Sequence, residues 1–496
     1  MNTTDKYNSF LDAVRTRKHL SATLSLLNWD EQVNLPEGAS SGRAEQISAL
    51  AKILHEQNTD ARYVALIDEL MAADLSPDAR VNVSEIHRDV SRALKIPTAL
   101  VAATAKAESE TFSRWVEARQ SGSFAAVLPQ LTTLFGLKQE LAGILKGTGT
   151  AYDAMLDLYE PGLTANETTT FFSALQPALT ELLQRVTASS PAPKNPARGS
   201  FPKALQQSFC QHVAEKMGFD FRRGRLDVAV HPFCTELGFN DVRLTTRYFE
   251  DDFAPSLYGT MHEAGHGLYD LGYDPAHAHT PLAEYCSMAI HESQSRLWEN
   301  IVGRSRGFLG FLFPTLQQTF PDSLAGVSCE DVYRYVTRVE PSFIRVEADE
   351  VSYGLHIIIR FELERDLFSG ALQLADVSAA WNEKYTKYLG ITPPDDLHGV
   401  LQDVHWYSGG FGYFPTYLLG SAYAAQLFTA LKKDRPAVNE EIAQGELLGI
   451  KEWLNERVHR QGKRYKAKEL IRVATGELPN PRYFVEYLEE KYAPKA

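Results

Sequence analysis

The chain has 496 residues, 44% of them hydrophobic and 23% charged, the composition of a soluble globular protein. Its net charge of −13 argues against nucleic acid or an anionic membrane surface as a partner, because both would repel it. The four cysteines, Cys210, Cys234, Cys286 and Cys329, show no C-x-x-C spacing, which excludes a disulfide scaffold and predicts reduced thiols used in packing.

The opening MNTTDKYNSFLDAV is polar and has no basic region leading into an apolar core, so no secretory signal is expected. No apolar run reaches the length of a membrane span, and the protein is read as cytoplasmic. From Tyr7 to about residue 190 helical periodicity dominates. Leu11, Val14, Leu20 and Leu24 fall near one face of the first helix, and prolines 36, 77, 97 and 161 sit at predicted helix boundaries. Ser189 to Pro202, SSPAPKNPARGSFP, is rich in Pro and Ser without apolar periodicity and is predicted to be an exposed loop. One fold is expected across residues 1–496: mainly α, with a helical part to about 190, the loop at 189–202 and a catalytic part from about 203.

After a helix over Lys203 to Met217, RLDVAVHPFCTELGFNDVRLTTRYF alternates apolar and polar residues, with Gly238 and Asn240 as turn signals. This predicts a small antiparallel sheet, one wall of a deep cleft, carrying His231, Asp241, Arg243 and Thr245. The stretch from Asp252 to Arg304 then concentrates the chemistry. Six of the fourteen histidines lie between His231 and His291. H-E-x-x-H occurs as His262, Glu263 and His266 on a predicted helix capped by Asp252, with Pro255 in its first turn and Gly272 at its end.

Residues four apart share a helix face, so the two histidines can grip one ion. Glu263, rotated by about 100°, flanks that ion and can take a proton from a water the ion activates. A chance string, or a pair of core histidines, is the competing reading; the helical context and the following segment argue for metal. A zinc hydrolase needs a third protein ligand. Glu292, 26 residues after His266 on a new helix, is favoured, with Glu284, Glu299, His277, His279 and His291 as rivals. Beyond Arg304 helices resume, interrupted between Gly390 and Gly412 by a loop dense in polar and aromatic groups.

Six motifs in order resemble the M32 metallocarboxypeptidases, the carboxypeptidase Taq family. They are HPF (231–233), DVRLT (241–245), HEAGH (262–266), HESQS (291–295), IRVEAD (344–349) and GVLQDVHW (399–406), and WDEQVNLPEGA (29–39) resembles the family's opening. The resemblance spans nearly the whole chain. It implies a helical, cleft-bearing fold, one divalent ion (Zn²⁺, with Co²⁺ as the alternative), a homodimer, and removal of C-terminal residues from peptides with broad specificity. It also assigns the third ligand to Glu292.

Such an enzyme must hold a free carboxylate beyond the scissile bond, and the planar fork of arginine suits that task. Arg345 is the first candidate and Arg243 the second; the bland alternative for each is an ion pair, with Glu347 or Asp349 for Arg345 and Asp241 for Arg243. His231 and His405 are candidate donors to the oxyanion, with Tyr407, Tyr413 and Tyr417 as alternatives. Gln402 and Tyr407 are substrate-side candidates, although Gln402 and Asp403 suit orienting their neighbours. His291 and Asp270 are placed behind the ligands as supports. Two other functions compete: a zinc endopeptidase or oligopeptidase, which needs no carboxylate anchor, and a non-catalytic helical peptide-binding scaffold.

Overall fold

Apolar residues recurring every three to four positions, bounded by Ser, Asp and Pro, produce a mostly helical chain. The computed structural model describes residues 2–189 and 191–493; Ser190, in the predicted loop, lies outside them. Four helices come first: α1 (Thr3–Val33), α2 (Ser40–Asn58), α3 (Ala61–Met71) and α4 (Pro77–Lys95). Each start has a chemical cause where a cap is present. Asn2 accepts the Asp5 amide, Asp60 accepts those of Arg62 and Tyr63, and Ser76 caps α4 ahead of Pro77. Phe10 and Val14 of α1 meet Tyr63, Ile67 and Leu70 of α3 and Val83 and Val90 of α4 in a small core of their own. Of the expected stripe on α1 only Val14 is fully buried; Leu11, Leu20 and Leu24 are half-buried.

Next come α5 (Thr98–Ser121), α6 (Leu128–Leu145), α7 (Ala151–Leu156) and α8 (Ala165–Ser189). Residues 191–202 form no helix or strand, in keeping with the predicted loop, but they are pinned. Arg198 donates its amide to Ser323, Phe201 donates to Glu250, and the Phe201 ring is fully buried. α9 (Lys203–Met217) leads into β1 (Gly224–Val228), β2 (Cys234–Gly238) and β3 (Asp241–Thr246).

The sheet is mixed, not antiparallel as expected: the strand order is β1-β3-β2, with β3 antiparallel to β2 and parallel to β1. The tight turn at Phe239–Asn240, where Asn240 takes a φ of +66°, makes β2 and β3 a hairpin. β3 then slots between its two predecessors, and that position makes it run alongside β1. One sheet face packs on α10 (Ala254–Asp270), against which Val242 and Leu244 are buried. Over the other face, Trp29 of α1 stacks on the guanidinium groups of Arg225 and Arg243.

α11 (Met288–Arg296) follows and continues directly into a π-helical turn, Leu297–Val302. The rest of the chain is α12 (Arg306–Thr319), α13 (Cys329–Val336), α14 (Glu350–Ser369), α15 (Val377–Leu389), α16 (Pro415–Asp434), α17 (Val438–Gln444), α18 (Leu448–Arg457), α19 (Ala467–Thr475) and α20 (Arg482–Tyr492). α14 and α16 are buried on nearly all sides, and α16 packs against both α14 and α11, the helix that in turn meets α10. Among the described residues no helix is long and apolar enough to cross a membrane.

Candidate metal centre

α10 begins where Asp252 accepts the Ala254 amide, with Pro255 in the first turn. Gly272 lies just past its end, but for a reason other than C-capping. A Cβ there would come within 2.4 Å of His459 Nδ1 and 2.5 Å of Asn455 Oδ1, so glycine is required by close approach. Ser287 opens α11 by accepting the Ile290 amide. The two helices touch through Gly265, inside the H-E-x-x-H string, whose Cβ would lie 2.7 Å from Ser295 Cα.

That contact brings His262, His266 and Glu292 together, with one ligand atom from each within 4.8 Å of the others. Glu292 Oε2 stands 3.7 Å from His262 Nε2 and 3.4 Å from His266 Nε2. The far side of each imidazole is occupied. His262 Nδ1 donates to Glu299 Oε2 at 2.8 Å. His266 Nδ1 is hydrogen-bonded to His291 Nδ1, and His291 Nε2 donates to Asp270 Oδ1 at 3.0 Å. Both rings therefore present Nε2 lone pairs toward Glu292, the tautomer a metal ligand needs. Two imidazoles and one carboxylate are a donor set that fits Zn²⁺ or Co²⁺.

Burial opposes ionisation of Glu292, yet Arg296, 2.6 Å from its Oε1, and the two histidines hold it well below the usual carboxylate range. Burial depresses His266 to about 4, helped by His291. Glu263 beside His262 is pushed up to about 7 by burial, with Glu292 and Glu299 adding to the rise.

His262, Glu263, His266, His291 and Glu292 line a cleft of about 900 Å³ together with Tyr413, Thr416 and Tyr417, Cys234 and Cys286, and cations from α1 and α4. The thiols are pushed up by burial. Among the expected rivals for the third ligand, Glu299 and His291 stand behind the histidines. Glu284 lies across the cleft, paired with Lys18 and Lys463, and His277 lies 3.6 Å from Asp78. His279 packs on His19, ring centroids 4.9 Å apart.

The other expected site residues are dispersed. Arg345 is buried, with Nε and Nη2 both on Asp403 Oδ1 (2.9 and 2.7 Å) and Nη1 donating to Tyr353. Its acidic partner is therefore Asp403 and not Glu347 or Asp349. Arg360 takes the second Asp403 oxygen at 2.6 Å. Gln402 accepts from the Arg345 amide and from Arg360 and donates to the Phe343 carbonyl, so it braces this network. Tyr407 is fully buried and donates to Val400, away from the cleft. Arg243 is chelated by Asp241 on the outer sheet face. His231 is exposed in a neighbouring hollow beside Trp29. His405 does not line the cleft; its Nε2 lies 3.1 Å from the Tyr417 hydroxyl, which does. Arg296, which the sequence reading passed over, had a signal in its position four residues after Glu292.

The model of the carboxypeptidase Taq (M32) metallopeptidase family matches residues 9–492. The chain is 41% identical to thermostable carboxypeptidase 1 of Thermus thermophilus, 98% of each chain being covered. It is 40% identical to carboxypeptidase 1 of Bacillus subtilis over 98% of this chain and 97% of that one. Among solved structures, the M32 carboxypeptidase of Deinococcus radiodurans superposes with a TM-score of 0.96 at 39% identity, covering 98% of this chain and 99% of that one. A Pyrococcus furiosus carboxypeptidase gives 0.96 at 36%, covering 99% of each.

Proposed function

This chain belongs to the M32 family and is a metallocarboxypeptidase, and from that premise we propose that His262, His266 and Glu292 hold one Zn²⁺ or Co²⁺ ion, with Glu263 as general base. The observation that carries this reading is the convergence of three ligand atoms within 4.8 Å, with Glu263 on the same cleft wall. When bound, the ion supplies Lewis acidity: it polarises the scissile carbonyl and makes a water acidic enough to attack near neutral pH.

The remaining work falls to side chains. Glu263, with its proton affinity raised to about 7, can accept the attacking water's proton and return it to the leaving amine. Tyr413 and Tyr417 line the cleft and can donate to the developing oxyanion. His405, in contact with the Tyr417 hydroxyl, steadies that phenol from behind. The substrate carboxylate meets the half-buried cations of the opposite wall, Lys18, Arg88, Arg92 and Lys463, which face the cleft while also pairing with Glu284 or Asp157, whereas Arg345 and Arg243 do not line it. Broad specificity follows from a cleft whose other walls are mixed in chemistry.

Metal-loaded protein incubated with a free-ended peptide and its C-terminal amide, followed by mass spectrometry, tests the reading. Stepwise loss of single C-terminal residues from the free-ended peptide alone is expected. Internal cuts in both peptides would replace this reading with an endopeptidase.

A further inference from the structure

A second cavity, of about 290 Å³, lies behind the metal centre and shares no lining residue with the cleft. Its inner wall is the back of the metal's support: Arg296, which bonds Glu292, and Glu299, which bonds His262, both face it. Three guanidinium groups line this space, and each is stacked on a tyrosine ring. Arg296 lies 4.5 Å from the centre of Tyr353, Arg304 3.9 Å from that of Tyr258, and Arg338 4.7 Å from that of Tyr335. Stacking fixes the plane in which each fork offers its N–H groups.

Most of the charges around the cavity are already matched. Glu299 pairs with Arg296 and Arg304, Glu350 pairs with Lys491, and Asp349 accepts the first amides of α14. Arg338, Glu340 and Glu347 are left over: they line the cavity at its exposed rim and have no ion-pair partner among the described residues. Arg304 sits deeper, its side chain 19% exposed, and uses only Nη1, which donates to Glu299 Oε1 and Asn300 Oδ1 at 2.7 Å each. Its Nε and Nη2 meet no acceptor among the described residues, yet neither atom is sealed from solvent. Those two atoms form the guanidinium edge that takes a carboxylate through two parallel bonds.

We propose that this cavity binds a free α-amino acid, its carboxylate taken by Arg304 and Arg338 and its ammonium group by Glu340 and Glu347. Val336 and Tyr492 then flank the side chain. A free amino acid is what a carboxypeptidase releases, so the site reads accumulated product; this role rests on the peptide-shortening reading of the cleft. The bound carboxylate competes with Glu299 for Arg304, and Glu299 holds His262 from behind. Occupancy therefore loosens a metal ligand without blocking the cleft, and inhibition is noncompetitive toward peptide.

The test begins with calorimetric titration of leucine into metal-free protein, which reads the site without any contribution from a metal in the cleft. One leucine per chain is expected. Leucine amide and N-acetylleucine, each lacking one charged end, should bind at least about tenfold more weakly. Arg304→Lys keeps the charge but loses the fork and should weaken leucine by about tenfold or more; the rim variants Arg338→Ala and Glu347→Gln should do so by at least about threefold. On metal-loaded protein leucine should lower kcat with little change in KM, and each variant, compared with its own leucine-free rate, should need correspondingly more leucine. No binding, equal binding of either blocked form or of inorganic phosphate, or purely competitive inhibition unmoved by Arg338→Ala overturns the proposal. Leucine bound as expected to a protein that shortens no peptide overturns instead the reading beneath it.

Discussion

At the scale of single residues, three acidic side chains do three different jobs because their surroundings differ. Glu263 faces the cleft and has no fixed cation of its own, so burial leaves it able to exchange a proton. Glu263→Gln should keep the fold and bound metal, read by circular dichroism and metal analysis, while kcat falls about 10²- to 10⁴-fold. Glu160 is also buried, accepting the Ala289 amide at the start of α11. There burial raises its proton affinity to about 8 against the bonds from Ala289 and Ser287. Because its folded value lies above the unfolded one, the folded state holds this proton more tightly. The associated stability is complete below about pH 4.5 and is lost as pH rises through about 8, by a few kcal/mol at most. Denaturant titrations across that window should show the decline in the parent and a flatter profile in Glu160→Gln.

Asp403 is the opposite case, held ionised by Arg345 and Arg360. Asp403→Asn leaves two buried guanidinium groups short of charge and should cost about 3–5 kcal/mol in the same titration. The motif residues were legible in the sequence; their partners were not. Arg345 has acids two and four positions away, yet it pairs with one 58 residues on. Only the packing of the 344–349 turn against the 399–406 loop decides between them.

At the scale of elements, the helices carrying the proposed ligands could be anticipated because H-E-x-x-H spacing, caps and prolines act locally. The sheet was legible as strands but not in its order, since alternation says which residues face inward and nothing about which strand lies alongside. The π-helical turn after Glu292 was hidden for a related reason: it is a change of backbone hydrogen bonding with no side-chain signature of its own. How α11 docks turns on two glycines, Gly265 of α10 on one side and Gly420 of α16 on the other. A methyl group at Gly265 would strike the backbone of Gln294 and Ser295, and one at Gly420 would come within 2.6 Å of Glu292 Cβ and Cγ. Gly265→Ala should separate the helices and draw Glu292 away from the histidines. Competition with a chromophoric chelator should show metal affinity down by at least about tenfold, in line with what displaced ligands and their supports cost elsewhere. The melting temperature should fall with it.

At the scale of the whole molecule, two apolar cores stand apart: a small one within α1, α3 and α4 and a large one through the remainder. Between them run Lys18 to Glu284, Arg464 and His277 to Asp78, and Arg88 and Arg92 to Asp157. α2 buries no side chain completely and depends on its neighbours alone. Hydrogen–deuterium exchange should therefore find α2 the least protected of the first four helices, and α14 among the most protected in the chain. The chemical character of that seam sets how the first helices come away from the rest. Parting ion pairs wets charged groups and, beyond uncovering Trp29 where it lies on the sheet, exposes far less hydrocarbon than global unfolding does, so the opening should carry a smaller heat-capacity change and a shallower dependence on urea. Added salt, which hardly touches a buried core, should shift that opening first.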